Sequence, residues 1–330
     1  MKNNNSCCFL TVGKTAEAKS TEFKRYVGLG QSQIIALNPT KKQLEEIYGR
    51  EMQNDPQYCG TDEQTGIKWA RLDFIVKTVP EACNGIDIIS HATFTIRNEQ
   101  YLNADGSKVR VLDAYGNSIW MTVKDVEAHV QPKLPSGGNA KIAQYRKAYK
   151  GEPEVVDFLR KYLRIPNAFE YVNGSFLLKK MKHLNELTKE EAEKDDVPVY
   201  ENHMFAFDKN DFENFFKGDA TALWDEIQNR KNEDSTLAVT LLYGVRTSNE
   251  GKQYQVICTG YDTTLYSNPN SKAIAKLAKD MANAKQSGLY SNIDYRVQEL
   301  SEYTVSPTNL EEKPVADDLP FGDASMDTPW

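Results

Sequence analysis

The chain of 330 residues carries 40 Lys and Arg against 47 Asp and Glu, a formal net charge of −7, with 40 % hydrophobic and 26 % charged residues. That composition belongs to an ordinary globular protein with apolar material for a large core, and no stretch approaches the roughly 18 uncharged apolar residues of a membrane-spanning helix. Five cysteines, an odd number with Cys7 and Cys8 adjacent and no C-x-x-C pair, argue against a disulfide framework and a Cys-rich zinc site; the apolar patch Cys7–Leu10 is too short for a secretory signal, so the expectation is a cytoplasmic protein with reduced thiols.

In chain order, Tyr26–Asn38 reads as a strand bent or bulged at Gly28 and Gly30. Asn38-Pro39-Thr40 opens a helix with Thr40 as cap and Gln43 at the capping-box position, and Gly49 closes it. Ile67–Val79 alternates cleanly, placing Ala70, Leu72, Phe74 and Val76 on one face and Trp69, Arg71, Asp73 and Lys77 on the other. Ile86–Arg97 does the same, with Ile86, Ile88, Ala92, Phe94 and Ile96 inward and His91, Thr93, Thr95 and Arg97 outward. Asn103-Ala104-Asp105-Gly106 and Tyr115-Gly116-Asn117 are hairpin signals around strands at Lys108–Asp113 and Ser118–Val123.

Pro132–Gly138 is the first strong breaker. Beyond it the period becomes helical at Lys141–Lys150, Pro153–Arg164, His183–Lys194 and Asp219–Arg230, with a short strand near Val197–Phe207. Strand patterning returns in Leu237–Thr247 and Lys252–Asp262, joined by the turn Ser248-Asn249-Glu250-Gly251. Ser271–Gln286 predicts an amphipathic helix and Tyr295–Val305 a last strand. The reading is a β-barrel-like core built from 1–129 and 236–306 around a largely helical insertion at 130–235, or, nearly as well, two domains divided there.

Charge is unevenly placed. Residues 130–182 hold 11 basic and 4 acidic side chains, 183–236 hold 6 and 15, and 307–330 hold Lys313 against six acids. Because the acid is confined to two blocks, a basic surface can stand beside them. The last 24 residues carry four prolines and no aliphatic periodicity, which predicts disorder. They contain two related units: Asp318-Leu319-Pro320-Phe321 and Asp327-Thr328-Pro329-Trp330. Each combines an acid, a spacer, a proline and an aromatic, suited to filling a basic-rimmed pocket on a partner.

The run Asp317-Asp318-Leu319-Pro320-Phe321 resembles the acidic tip, ending in Pro-Phe, of bacterial single-stranded-DNA-binding proteins. Those tips stop at the phenylalanine, whereas here a second unit ends in Trp330. The segments Arg97-Asn98-Glu99, Asp105-Gly106, Asp113-Ala114-Tyr115-Gly116 and Trp120 resemble parts of the single-stranded-DNA-binding proteins of large bacteriophages. The resemblance implies an OB-fold, no catalysis, a role in DNA replication and recombination, and replication or recombination proteins as partners of the tail. With it, the expected fold class is α+β: an OB-like antiparallel β-barrel core, a largely helical insertion and a disordered acidic C-terminal tail.

Single-strand binders need cations along a groove and flat rings on which bases stack. The outward residues supply both: Trp69, Arg71, Lys77, Arg97, Lys108, Arg110, Trp120 and Lys124, with Lys141, Arg146 and Lys147 as a second patch. A solvated, charged sheet face is the competing account of the first group. Tyr145, Tyr149, Phe158 and Tyr162 are better read as core than as stacking platforms. Catalytic motifs are weak. Gly13-Lys14-Thr15 lacks the earlier glycine of a phosphate loop. His91, His129, His183 and His203 stand in no metal-ligand spacing, and no nucleophile elbow occurs. No catalysis, cofactor or metal is therefore expected. The rival functions are a structural or adaptor protein of a virion or complex, a recombination annealing factor, and a metal-dependent nuclease using Asp73, Asp87 and Asp113.

Overall fold

The computed structural model describes residues 24–113, 118–130, 145–164, 207–260 and 263–304, together with the backbone of four short strands between 169 and 200. Strands β1 (Arg25–Leu37), β2 (Cys59–Thr61), β3 (Lys68–Thr78) and β4 (Ile89–Gln100) come first, with helix α1 (Lys41–Tyr48) after β1. A second group follows: β5 (Lys108–Asp113), β6 (Ser118–Thr122), α2 (Val123–Glu127), β7 (Tyr145–Lys147), β8 (Tyr149–Lys150) and α3 (Glu152–Tyr162). Then come β9 (Phe169–Val172), β10 (Ser175–Leu178), β11 (Lys182–His183), β12 (Val199–Tyr200), α4 (Lys209–Phe215) and α5 (Thr221–Glu233). The chain continues through β13 (Val239–Thr247), β14 (Gln253–Cys258), β15 (Thr264–Tyr266), α6 (Ser271–Gln286), β16 (Ile293–Tyr295) and β17 (Ser301–Tyr303).

A ten-stranded antiparallel sheet dominates, in the order β14-β13-β1-β3-β4-β8, with β2 on β3, β15 and β16 on β13, and β17 on β1. Strands from before and after the insertion thus share one sheet, through the register Gly28↔Tyr243 to Ser32↔Val239. The sheet curls until its distant strands approach: the Thr259 hydroxyl, just past β14, donates to the Thr93 carbonyl of β4 at 3.4 Å. No ladder joins β14 to β4, so the expected barrel is a half-barrel. Helix α3 packs into its concave side, setting Phe158 against Phe74 and Phe94 at ring-centroid distances of 5.0 and 5.1 Å. Ile34, Leu72, Phe74, Phe94, Leu241, Tyr243 and Ile257 complete that core, each large side chain contributing roughly 1.5–3 kcal/mol by leaving water.

Local signals account for several elements. Thr40 accepts from the Gln43 amide while the Gln43 side chain accepts from Thr40, and Gly49 closes α1 in a left-handed conformation. At Gly28, φ is +127° and an added Cβ would lie 2.5 Å from the Glu299 carbonyl oxygen, so the bend in β1 lets another segment cross it closely.

One expectation needs correction. Residues 145–150 are strand, not helix: Tyr145–Lys147 pairs with β5 and Tyr149–Lys150 with β4. Open sheet edges outweighed a helical pattern ten residues long. Gly151, at φ +84°, then turns the chain into α3 where a Cβ would meet the Thr95 oxygen at 1.9 Å. In the described part of 130–235 the short strands β7 to β12 stand beside the longer helices α3, α4 and α5. The predicted helix at His183–Lys194 falls, after its first residue, outside the described residues.

Candidate nucleic-acid interface

Alternation on β3 and β4 places side chains as predicted: Ala70, Leu72, Phe74, Val76, Ala92, Phe94 and Ile96 face the core, and Trp69, Arg71 and Arg97 lie on the convex side, with Trp69 directly opposite Arg97. The Arg71 guanidinium sits 5.6 Å from the Trp69 ring centroid. The indole is half-buried because it covers Gly60 of β2, where a Cβ would stand 2.7 Å from the ring. Arg97 is held by acids, with Nη2 3.2 Å from Asp62 and Nε 2.8 Å from Glu99. Lys77 pairs with Asp87 at 3.2 Å, at the far end of the strand.

Between those ends the convex face is not open. Helix α1 lies across it and builds a second small core from Leu44, Met52 and Ile75. Beneath α1, Asp73 is fully buried; its carboxylate accepts from His91 Nδ1 at 2.8 Å and from the Thr93 hydroxyl at 2.7 Å. His91 Nε2 meets the Tyr48 hydroxyl at 2.8 Å, and the two rings stack. Burial and the Asp73 charge push the Tyr48 phenol well above its ordinary value. This Asp-His-Tyr chain pins α1 to the sheet. Sequence reasoning had Asp73 and His91 on the correct face but not their burial; the apolar stripe Leu44, Ile47 and Tyr48 of α1 was the available signal.

Trp120 lies elsewhere. The small sheet β6-β5-β7 pairs Arg110 with Trp120 and Lys108 with Thr122, and its buried side packs Val109, Val111 and Met121 against Val126 of α2. On the other side Trp120 is 38 % exposed. The Arg110 guanidinium stands 4.8 Å from its ring centroid, and Tyr101 packs edge-on at 5.4 Å. The Tyr101 hydroxyl donates to Glu154 Oε1 at 2.8 Å. Glu154 is 6 % exposed, its Oε2 has no hydrogen-bond partner, and burial raises its carboxyl above the usual range. Lys108 and Lys124 are exposed. Because Glu154 opens α3, on the concave side of the main sheet, Trp120 and Trp69 belong to two separate clusters.

Of the second basic patch, Arg146 is committed to structure. Its guanidinium binds both oxygens of the fully buried Glu152 and donates to the Phe207 carbonyl at 3.0 Å, over the Phe212 ring. Lys147 is half-buried on the opposite side of β7, paired with Val111. Lys141 and the tail residues Asp317, Asp318, Leu319, Pro320, Phe321, Asp327, Pro329 and Trp330 lie outside the described residues, as do Cys7, Cys8 and Gly13–Thr15.

A cleft of about 510 Å³ between the start of α1 and the start of α5 is lined by Ile47, Trp224, Glu46 and Asp219 and by no Lys or Arg, which disfavours phosphate there. Among the described residues no group of three His, Cys, Asp or Glu is placed to hold a metal, and no helix is long and apolar enough to cross a membrane. Comparison with known protein families, curated proteins and solved structures finds no match.

Proposed function

We propose that the protein binds single-stranded DNA without catalysis, in replication or recombination, and that the strand engages the β5–β6 face. The observation that carries this reading is the exposed Trp120 ring, braced by Tyr101 and Arg110 with Lys108 beside it on the same face. An exposed indole held rigidly at its edge offers a flat surface for a base, and stacking of this kind is worth about 1–3 kcal/mol per base. Neighbouring cations neutralise phosphates and make binding salt-dependent. Trp69 with Arg71 is a smaller, half-covered second platform. Arg97, Lys77 and Arg146 have acidic partners and are assigned to structure.

The curled antiparallel half-barrel is compatible with an OB-like core opened on one side and filled by α3. The acidic tail is assigned the recruitment of other replication or recombination proteins on the strength of its two Pro-aromatic units, in a bacteriophage-type protein working in the host cytoplasm. Exposed Leu102 and Val130, at 44 and 42 %, favour a second reading, an adaptor whose apolar surface binds protein instead. Filter binding of single- and double-stranded DNA at two salt concentrations separates the two. The first reading requires tighter retention of single strands that weakens with salt, and the adaptor reading requires none.

A further inference from the structure

Helix α6 carries a feature that the Trp120 face does not absorb. From 263 to 293 the only charged residues are Lys272, Lys276, Lys279, Asp280 and Lys285, a cationic island in a chain of net charge −7. Asn270 caps the helix, its side chain accepting from the Ala273 amide, and the 16-residue length makes α6 regular throughout. Leu277 and Met281 are buried against Leu242, Cys258 and Leu265, with Ala273 and Ile274 packed beside them. That contact fixes the rotation of the helix. Lys272, Lys276 and Lys279, at i, i+4 and i+7, then share one exposed stripe about 10 Å long at 1.5 Å rise per residue.

Lys276 pairs with Asp280 at 2.6 Å. A surface i,i+4 pair of this kind is worth only about 0.3–0.5 kcal/mol, so a phosphate can displace it. Lys285 is set apart, its ammonium 5.5 Å from the Tyr295 ring centroid. Leu242 lies on the face of β13 opposite Leu241 and Tyr243, so α6 occupies the convex side of the half-barrel. It packs beside Leu29, near the start of β1, whereas α1 covers Ile35 and Ala36 further along. The stripe is therefore separate from Trp69 and from the Trp120 cluster.

We infer that this lysine stripe is a second nucleic-acid contact, binding the phosphate backbone of a strand without reading bases. The inference rests on the single-strand reading above. Charge selects the occupant, because three exposed cations along one helix stripe suit a polyanion. An anionic membrane would need an apolar face inserted below the charges, and that face of α6 is already spent on Leu242 and Leu265.

The test uses the full chain and a long oligo(dT), about 40 nucleotides, with binding measured across a salt series. Each phosphate neutralised on a single strand contributes about −0.7 to the slope of log K against log salt. The variant Lys272→Gln/Lys276→Gln/Lys279→Gln keeps good helix formers and should lower the slope magnitude by about 2. Binding of an oligomer of about 6 nucleotides, held at Trp120, should remain unchanged. Trp120→Ala should do the reverse, weakening the short oligomer most. A triple variant with the parental slope on the long strand overturns the stripe while leaving the Trp120 site standing. Absence of any oligonucleotide binding by the parent protein overturns both. Loss in the triple variant of binding to anionic vesicles, with the DNA slope unchanged, would assign the stripe to a membrane and overturn the inference.

Discussion

Replacing Arg146 separates a structural cation from a DNA contact. In the folded chain Glu152 is fully buried; it accepts from Arg146 through both oxygens and from the Tyr149 amide at 3.0 Å. Its burial alone raises the carboxyl above its ordinary value, and the guanidinium is what opposes that rise. Arg146→Met removes the guanidinium and leaves a carboxylate out of water with one amide donor, while the Phe207 carbonyl loses a donor as well. Breaking one side of a fully buried pair costs about 3–5 kcal/mol; because the Arg146 side chain is 38 % exposed and water can enter where it stood, the cost here should be about 2–3 kcal/mol. Replacing both partners with apolar residues of similar volume is often neutral, so Arg146→Met/Glu152→Met should recover most of the loss. Urea denaturation followed by circular dichroism reads the difference as a lower midpoint at constant m-value for the single variant and a near-parental midpoint for the double. If Arg146→Met stays within about 1 kcal/mol of the parent, the argument from buried charge is wrong. If it also loses affinity for single-stranded DNA while folded, Arg146 returns to the interface.

Two further perturbations probe the buried polar groups. Glu154 has its carboxyl raised above the ordinary value by burial, so folding favours its neutral form. Parental stability therefore falls as pH rises from the unfolded value near 4.5 through the raised folded one. Glu154→Gln lacks that loss, so its stability advantage over the parent should grow as pH rises from about 4 to 8; denaturation midpoints across that range that keep a constant difference would contradict it. His91→Ala removes the donor to Asp73 Oδ2 beneath α1 and should cost about 1–3 kcal/mol, the range for orphaning a buried polar group. A thermal midpoint unchanged from the parent would show that α1 is held by Leu44 and Met52 alone.

Elements whose instructions are local were readable from the sequence. The Thr40–Gln43 capping box, the left-handed Gly49, the amphipathic α6 and the period-2 alternation of β3 and β4 each depend on residues within a few positions of one another. What depended on distant chain was not readable. Tyr145–Lys150 became strand because β4 and β5 offered open edges. Asp73 and Ile75 faced away from the main core yet were covered, since α1 folds back over them. The ion pairs of two candidate cations were hidden for the same reason: folding brings Asp62 to Arg97 and Glu152 to Arg146, whereas Glu99 stands two residues from Arg97 on the same strand. For Arg146 a hint was present, because Glu152 stands at the start of a helix six residues on. Trp120 kept its exposure although α3 reaches the neighbouring Tyr101 through Glu154, because α1 lies over β3 and β4 rather than over this hairpin.

The most direct test of the account is the quenching of tryptophan fluorescence by oligo(dT), compared between the parent and Trp120→Ala. Stacking on this ring predicts salt-reversible quenching in the parent and, without the ring, a loss of most of the signal. Affinity should fall about 5- to 150-fold, the equivalent of 1–3 kcal/mol. Parental affinity and quenching in Trp120→Ala, above all if both vanish in Trp69→Ala instead, would contradict the placement of the strand on the β5–β6 face.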